Sequence, residues 1–199
     1  MIRVLIVYSS VDGQTARIAK RVADGLRESG LEVTLHPAWR LDAPWEIETH
    51  DAVVVGGSVR FGRHARELER WVRERLERLA ARPAAFFSVS MAAAGEGERA
   101  REAIRWRDEF LSRTGWKPAL AASFAGALRY TRYNPLLRMM MRFISGRAGG
   151  DTDTSRDYEY TDWDAVDRFA ADFRTRIAAA GMPLRRDSRP AALRSPALA

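Results

Sequence analysis

The chain has 199 residues, a formal net charge of +7, three histidines and no cysteine. This length fits one domain with a full-sized core. The absence of cysteine excludes a disulfide framework, a thiolate metal site and a cysteine nucleophile. The three histidines are spread apart in the sequence, so we expect no metal site and interpret His36, His50 and His64 as surface or turn residues.

Charge and hydropathy also bear on location and partners. No basic leader followed by an apolar stretch precedes the first strand, and no run approaches the roughly 18 apolar residues of a membrane span. We therefore expect a protein of the cytoplasmic side. A basic protein is attracted to anionic lipid, nucleic acid or a polyanionic substrate. Because helix-turn-helix, RNA-binding and zinc-finger patterns are missing from the sequence, we expect no nucleic acid partner.

Strand-like runs alternate with helical ones, which is typical of a parallel sheet with helices on both faces. The predicted strands are Arg3–Ser9, Leu31–His36, Ala52–Ser58, Ala85–Ser90 and Ala119–Ala127. The predicted helices are Gln14–Ser29, Ala65–Ala80, Gly97–Arg113, Leu136–Ile144 and Asp162–Ala180, with a loop or short helix at Leu41–His50. This alternation of strands and helices predicts a flavodoxin-like α/β three-layer sandwich with a five-stranded parallel sheet in the order 2-1-3-4-5. Residues 1–180 are expected to form one domain, and the Pro- and Arg-rich residues 181–199 a disordered tail.

The loop after the first strand is the most informative segment. It brings backbone N–H groups, hydroxyl groups and the positive end of a helix to one point, which suits a phosphate group. Its candidate ligands are Ser9, Ser10, Asp12, Gly13, Gln14 and Thr15. Neither G-x-G-x-x-G nor G-x-x-x-x-G-K-S/T is present. The spacing favours a flavodoxin-type loop that holds the phosphate of FMN without Lys or Arg, and the alternative is a plain turn rich in small polar residues.

Three further strand ends are expected at the same edge of the sheet. We predict that the loops that follow them surround the flavin ring. The candidate residues are Gly57, Ser58, Val59, Arg60, Phe61, Gly62, Ser88, Val89, Ser90, Met91, Ala127, Leu128 and Tyr130.

Residues 128–157 form an insertion after the last core strand, too long for a simple connection and therefore expected to be functional. No acidic residue lies between Ser112 and Gly150. Asn134 and Pro135 are typical of a helix start. The apolar arc of the following helix spans roughly 200° and leaves Arg138 and Arg142 a narrow face. This pattern favours a helix that lies in a membrane interface through Leu136, Leu137, Met140, Met141, Phe143 and Ile144.

The alternative for this helix is a core helix or a methionine-rich cover over the flavin.

Several segments together resemble the menaquinone-dependent protoporphyrinogen IX dehydrogenases, flavodoxin-like enzymes of haem biosynthesis. They lie in order and at matching separations over most of residues 1–170. The segments are residues 12–15 (DGQT), 57–62 (GSVRFG), 86–90 (FFSVS), 125–133 (AGALRYTRY), 149–154 (GGDTDT) and 160–163 (YTDW). Residues 94–101 and the tail after Ala180 diverge from the family pattern.

The resemblance implies an FMN enzyme that removes electrons in pairs from protoporphyrinogen IX and passes them to a membrane quinone such as menaquinone. It implies a peripheral protein on the cytoplasmic face of the inner membrane, beside an anionic lipid surface. Arginine guanidinium groups can bind the substrate's propionates bidentately. The candidate substrate residues are Arg60, Arg129, Arg132 and Tyr133. For each arginine the alternative is a charge that faces solvent.

The chemistry is expected to take place on FMN, and no residue is assigned as a general base. Asp12 is an acid near the flavin, but a loop-capping turn explains it as well. Two other functions stay open at this point. One is a flavodoxin-like electron carrier without a substrate of its own, and the other is a soluble NAD(P)H:quinone reductase of the same fold.

Overall fold

The computed structural model describes residues 1–38, 47–147 and 150–181. The strands are β1 Arg3–Ser9, β2 Glu32–Pro37, β3 Ala52–Arg60, β4 Arg63–His64, β5 Ala84–Ser90, β6 Leu120–Ala125, β7 Ala127–Leu128 and β8 Tyr158–Glu159. The helices are α1 Gln14–Glu28, α2 Arg66–Glu74, α3 Leu76–Ala80, α4 Glu98–Thr114, α5 Pro135–Arg147 and α6 Trp163–Ala179. The predicted loop at 41–50 lies mostly outside the described residues, and so does the predicted tail after residue 181.

The central sheet has its parallel strands in the order β2-β1-β3-β5-β6. This confirms the predicted order 2-1-3-4-5 and the flavodoxin-like α/β class. The sheet has six strands rather than five, because β4 folds back and pairs antiparallel with the end of β3. The strands are continuous apolar runs because helices cover both of their faces.

Alternate residues of each central strand pack into two separate hydrophobic cores, one on each face of the sheet. Val4 and Ile6 of β1 pack with α1 and α6, whereas Leu5 and Val7 pack on the opposite face with α2, α3 and α4. This alternation follows from the two-residue period of a strand. The helices are thus divided between the two faces, and the carboxyl ends of the strands stay open along one edge.

Two predicted elements are divided in the structure. The predicted helix 65–80 is interrupted at Arg75, whose φ of −120° and ψ of 18° leave the helical region. The predicted strand 119–127 ends at Ala125. Gly126 then donates to the carbonyl of Ser90 and accepts from the amide of Tyr160, which redirects the chain into the β7–β8 ladder. This antiparallel ladder is the base of the insertion.

Candidate functional site

A cleft lies at the carboxyl edge of the sheet, where the loops after β1, β3 and β5 meet. These strands are neighbours, so their ends converge, as the doubly wound topology requires. The cleft opens to solvent and has a cavity volume of about 70 Å³. Its walls are Val11, Asp12, Gln14, Thr15, Ser58, Val59, Arg60, Val89, Ser90, Met91, Gly126 and Ala127.

The loop between β1 and α1 presents donors to this cleft. Gly13 precedes the helix with a φ of 88°, a left-handed conformation that favours glycine. Its amide donates to Ser10 Oγ over 3.1 Å, which closes the turn. Among the described residues no side chain caps α1, and its first turn contains no acid. The first amides of a helix have no partner within the helix, so this end can bind an anion. The donor set therefore fits a phosphate group.

A tight hairpin between β3 and β4 borders the cleft. Phe61 and Gly62 form its turn with φ values of 50° and 76°, and positive φ at both central residues matches a type I′ turn. The Phe61 side chain is 76% exposed, and the Arg60 guanidinium lies 5.8 Å from the centre of its ring. The hairpin thus presents an aromatic ring and a cation beside the cleft.

A buried histidine holds this hairpin in place. His64 is 4% exposed, and its Nε2 lies 2.9 Å from Ser88 Oγ on β5. Burial, followed by the nearby Arg113 charge, lowers the pKa of His64 to about 3. The surface or turn interpretation is therefore wrong for His64. The Ser88 hydroxyl is bound to His64 rather than lining the cleft, so the assignment of Ser88 to the cofactor stays a prediction.

His64 also explains why β3 contains Gly57. A Cβ atom built at Gly57 would lie 2.8 Å from His64 Cδ2 and from Leu68 Cδ2. The glycine therefore leaves space for the histidine ring rather than for a flavin. Nothing in the sequence indicated this contact.

The insertion has a small core of its own. Leu128, Tyr130 and Tyr133 are buried together, with Met141 packed against them. The Tyr130 hydroxyl donates to the carbonyl of Asp151 over 2.8 Å. These side chains are therefore packed in the insertion core, and the assignment of Leu128 and Tyr130 to the flavin and of Tyr133 to the substrate stays a prediction. The β7–β8 ladder turns them inward.

Arg129 is bound on several sides. Its guanidinium lies 3.5 Å from Asp157 and 3.6 Å from Glu159 and donates to Gln14 Oε1 over 3.0 Å. The side chain is only 18% exposed. The absence of acids between Ser112 and Gly150 predicted an uncompensated arginine, and this is wrong for Arg129. Glu159 of β8 and Asp157, two residues earlier, supply the carboxylates. A role as a substrate ligand is correspondingly difficult.

Arg60 and Arg132 differ from Arg129 because both are exposed. Arg132 Nη1 lies 3.8 Å from the position of a Cβ atom built at Gly13. Its cationic group therefore lies over the phosphate loop, on the open side of the cleft. These two arginines can reach a charged group bound from solvent.

Helix α5 begins at Pro135, and the amide of Arg138 donates to the carbonyl of Asn134 over 2.8 Å, as the predicted helix start requires. Four apolar side chains spaced three or four residues apart share its outer face and are 37–73% exposed. These are Leu136, Met139, Met140 and Phe143. Met141 packs against the insertion core instead of sharing this outer face. The side chains of Leu137 and Ile144 are outside the described residues.

Arg138 has a structural role that the sequence did not indicate. Its guanidinium donates to the backbone carbonyls of Tyr130, over 3.0 Å, and Tyr133, over 3.3 Å. It therefore ties α5 to the insertion core, whereas Arg142 is exposed on this helix. Within residues 1–38, 47–147 and 150–181, no helix is long and apolar enough to cross a bilayer.

The cleft brings together about half of the predicted cofactor residues. Val11 and Gly126 line it without having been predicted, although both sit directly beside predicted residues. The predicted residues that the cleft lining does not include are Ser9, Ser10, Gly13, Gly57, Phe61, Gly62, Ser88, Leu128 and Tyr130. Ser10 and Gly13 still shape the loop, whereas the others belong to strands, to the hairpin turn or to a core.

Comparisons with known proteins agree with this architecture. Residues 5–155 match the flavodoxin domain model. Protoporphyrinogen IX dehydrogenase (quinone) of Escherichia coli K12 is 36% identical over 168 residues, which are 84% of this chain and 92% of that protein. The protein of the same name from Leishmania major is 34% identical over 94% of this chain and 79% of its own length.

Among solved structures, a short-chain flavodoxin associated with a bacterial microcompartment superimposes with a TM-score of 0.55. It covers 89% of this chain and 99% of its own at 15% identity, which supports the fold alone. A flavodoxin domain implies a flavin cofactor, and the uncapped helix end beside the cleft fits one. The chain therefore belongs to the flavodoxin-domain proteins and, among them, to the protoporphyrinogen IX dehydrogenase (quinone) family.

Proposed function

We propose that this protein oxidises protoporphyrinogen IX to protoporphyrin IX with FMN as cofactor and passes the electrons to menaquinone or a related quinone. The observation that carries this proposal is the uncapped amino terminus of α1, which faces the cleft at the carboxyl edge of the sheet. The relatives named for this reaction match more than four fifths of the chain.

The phosphate of FMN would bind at the first amides of α1 and at the Thr15 hydroxyl. Thr15 is 2% exposed and lines the cleft, so a hydrogen bond from it would be well shielded from water. The ring system would lie between the β3 and β5 loops, near Val59, Met91 and Ala127. The bound flavin would supply the redox chemistry, and the protein positions it and tunes its surroundings.

The substrate would approach the exposed side of the flavin. It is a flat apolar macrocycle with two carboxylates. Arg60 and Arg132 are exposed, and each can bind a carboxylate through its guanidinium group. Phe61 offers an exposed aromatic face next to Arg60. Arg129 is left out of this set because Asp157, Glu159 and Gln14 already engage it.

The quinone is an apolar molecule of the lipid phase, so the protein would act at a membrane surface. We assign the contact to the exposed face of α5 formed by Leu136, Met139, Met140 and Phe143, with Arg142 as the adjacent cation. An apolar face beside basic residues is typical of helices that bind anionic interfaces. The proposed site of action is the cytoplasmic face of the inner membrane.

Porphyrin fluorescence tests the proposed reaction. Purified protein loaded with FMN is mixed anaerobically with protoporphyrinogen IX and a menaquinone analogue. We expect porphyrin emission to rise only when flavin and quinone are both present. An electron carrier would show flavin reduction by a reductase but no porphyrin, and an NAD(P)H:quinone reductase would consume NAD(P)H. Either result without porphyrin formation contradicts the proposal.

A further inference from the structure

The insertion contacts the phosphate loop through a connected set of hydrogen bonds. Gln14, the first residue of α1, is 4% exposed. Its Oε1 accepts from Arg129 over 3.0 Å and from Arg17 over 3.1 Å. Its Nε2 donates to Thr161 Oγ1 over 2.8 Å, and Thr161 donates to the carbonyl of Ala125. Both ends of the Gln14 amide therefore have partners, which defines the orientation of this side chain.

Two more contacts join the same segments. The amide of Arg129 donates to the Tyr133 hydroxyl over 3.3 Å, and this hydroxyl points to Asp12 Oδ2 at 3.5 Å. Arg132 lies over Gly13. Each of the three loop residues 12–14 therefore lies next to a residue of the segment 129–133. The two segments are more than a hundred residues apart in the chain.

The charges at this junction make it sensitive to an anion. Arg129, Arg132 and Arg17 bring cationic groups to the amino terminus of a helix, which already has a partial positive charge. Asp157 and Glu159 offset part of this charge at Arg129, and Glu159 also forms an ion pair with Arg17. A phosphate dianion at the helix end would attract the remaining cations and hold the insertion closer to the loop.

We propose that Arg129 is a positioning residue that couples binding of the flavin phosphate to docking of the insertion, through Gln14. The inference rests on the proposed FMN site and adds that the two binding events stabilise each other. By linkage, the effect is reciprocal: the phosphate stabilises the docked insertion, and the docked insertion raises the affinity for the phosphate. Because the insertion carries α5, a flavin-loaded protein would present its apolar face in a defined position.

Riboflavin, which lacks the phosphate, separates this coupling from ring binding. We expect FMN to slow amide hydrogen exchange in residues 127–133 and 157–161 by a factor in the range of about 5–150, the usual size of such coupling. Riboflavin is expected to leave this exchange nearly unchanged. Arg129→Lys keeps the charge but loses the planar fork, so it should abolish the FMN effect. The same substitution should also lower the affinity for FMN by the same factor, while the affinity for riboflavin stays constant.

Arg21→Lys is the matched control. Arg21 also lies on α1 and donates two hydrogen bonds, over 2.7 and 2.6 Å, to Asp167 of α6. The substitution therefore removes a planar guanidinium group as well, but at a position that does not line the cleft. It should leave the FMN-to-riboflavin affinity ratio unchanged. Gln14→Leu gives a second test, because it removes the amide and should again uncouple exchange in the insertion from FMN.

Three results would overturn the inference. In the first, FMN binds the wild-type protein but leaves exchange in the insertion unchanged. In the second, Arg129→Lys lowers FMN and riboflavin affinity equally, which indicates a general structural role. In the third, the wild-type protein binds neither flavin, and then the proposed function itself fails.

Discussion

At the scale of single residues, burial decides which polar groups take part in the site and which support it. Thr15 and His64 are both buried close to the cleft, but they face different surroundings. Thr15 lines the cleft itself. His64 packs against the stacked rings of Phe86 and Phe110 and holds the hairpin that borders the cleft. Their substitutions should therefore affect different properties.

Thr15→Val removes one hydroxyl donor and keeps the shape of the side chain. A lost hydrogen bond to a charged group costs about 1.5–3 kcal/mol, so FMN affinity should fall about tenfold or more. Flavin fluorescence titration measures this. Thr175→Val is the control, since Thr175 is exposed on α6 and donates within its own helix. Equal FMN affinity in both variants would contradict the phosphate assignment.

His64 predicts a specific pH dependence of stability. Its pKa is lowered from 6.5 to about 3, mainly by burial, so the folded state favours the neutral ring. The unfolded chain takes up the proton below pH about 6.5, where the folded state does not. The contribution to stability is therefore complete above pH 6.5 and declines as the pH falls from 6.5 towards 3.

Urea unfolding at pH 7 and pH 5 measures this decline. In His64→Leu the part of the decline due to this ring should disappear, while overall stability falls because Ser88 loses its partner. His50→Gln serves as the control, because His50 is only partly buried and bonds to Thr34 and Thr49. If His64→Leu loses as much free energy of unfolding between pH 7 and pH 5 as the wild type, the histidine is not the group responsible.

At the scale of elements, α5 and the central strands show two uses of apolar residues. In β3 and β5 the apolar side chains are buried and pack closely against the helices on the two faces of the sheet. In α5 four of the described apolar side chains form an exposed face, which leaves apolar area in contact with water at a cost of roughly 25 cal/mol per Å². An exposed apolar face of this kind usually marks an interaction surface.

Met140→Glu combined with Phe143→Glu tests the membrane face of α5. The double variant should bind anionic vesicles more weakly and transfer electrons more slowly to a lipid-embedded quinone, because charged carboxylates oppose burial in lipid. Flavin binding and oxidation by a soluble dye acceptor should be retained. Vesicle co-sedimentation provides the measurement.

Ile104→Glu is the control for that experiment, because Ile104 is an exposed apolar residue, 45% accessible, on α4. It should pellet with vesicles like the parent protein. If the α5 double variant also pellets like the parent, this helix is a cover or a core element and has no membrane role.

Gly56 in β3 tests the close packing of the sheet. A Cβ atom at this position would lie 2.1 Å from Phe87 Cζ, in the buried core that Phe87 shares with α1 and α6. Gly56→Ala should therefore lower the free energy of unfolding by about 1–3 kcal/mol, the usual cost of overpacking. Thermal or urea unfolding gives the value.

Gly25→Ala is the matched change for Gly56→Ala. A Cβ atom at Gly25 would lie 3.5 Å from Ala170 Cβ, an ordinary contact, and alanine favours the helix interior by about 0.5–1 kcal/mol. It should be neutral or stabilising. Equal effects of the two substitutions would show that the packing around Gly56 is looser than described.

At the scale of the whole molecule, the net charge of +7 adds a long-range attraction to anionic surfaces. Such attraction is screened over about 10 Å at 0.1 M salt and about 3 Å at 1 M. Binding to anionic vesicles should therefore fall steeply between these concentrations, and neutral vesicles should bind weakly at both. Co-sedimentation across a salt series measures this. Binding that is independent of both salt and lipid charge would contradict an electrostatic contribution.

The sequence alone determined the class of fold, the strand order and the position of the polar loop between β1 and α1. These depend on local patterns: continuous apolar runs, helical periodicity and the short polar loop between β1 and α1. The start of α5 at Pro135 was predictable for the same reason. Even where a boundary differs, as at Gly126, the departure is only a few residues long.

Only the tertiary structure decided which polar side chains face the cleft. The partners of Arg129 are Asp157 and Glu159, which the β7–β8 ladder brings beside it. His64 depends on Ser88 of another strand. The same ladder turns Tyr130 inward and makes Met141 part of a core. Such contacts join residues that are distant in the chain, so no local periodicity encodes them, and an arginine in an acid-free stretch of sequence becomes a paired arginine in the folded protein.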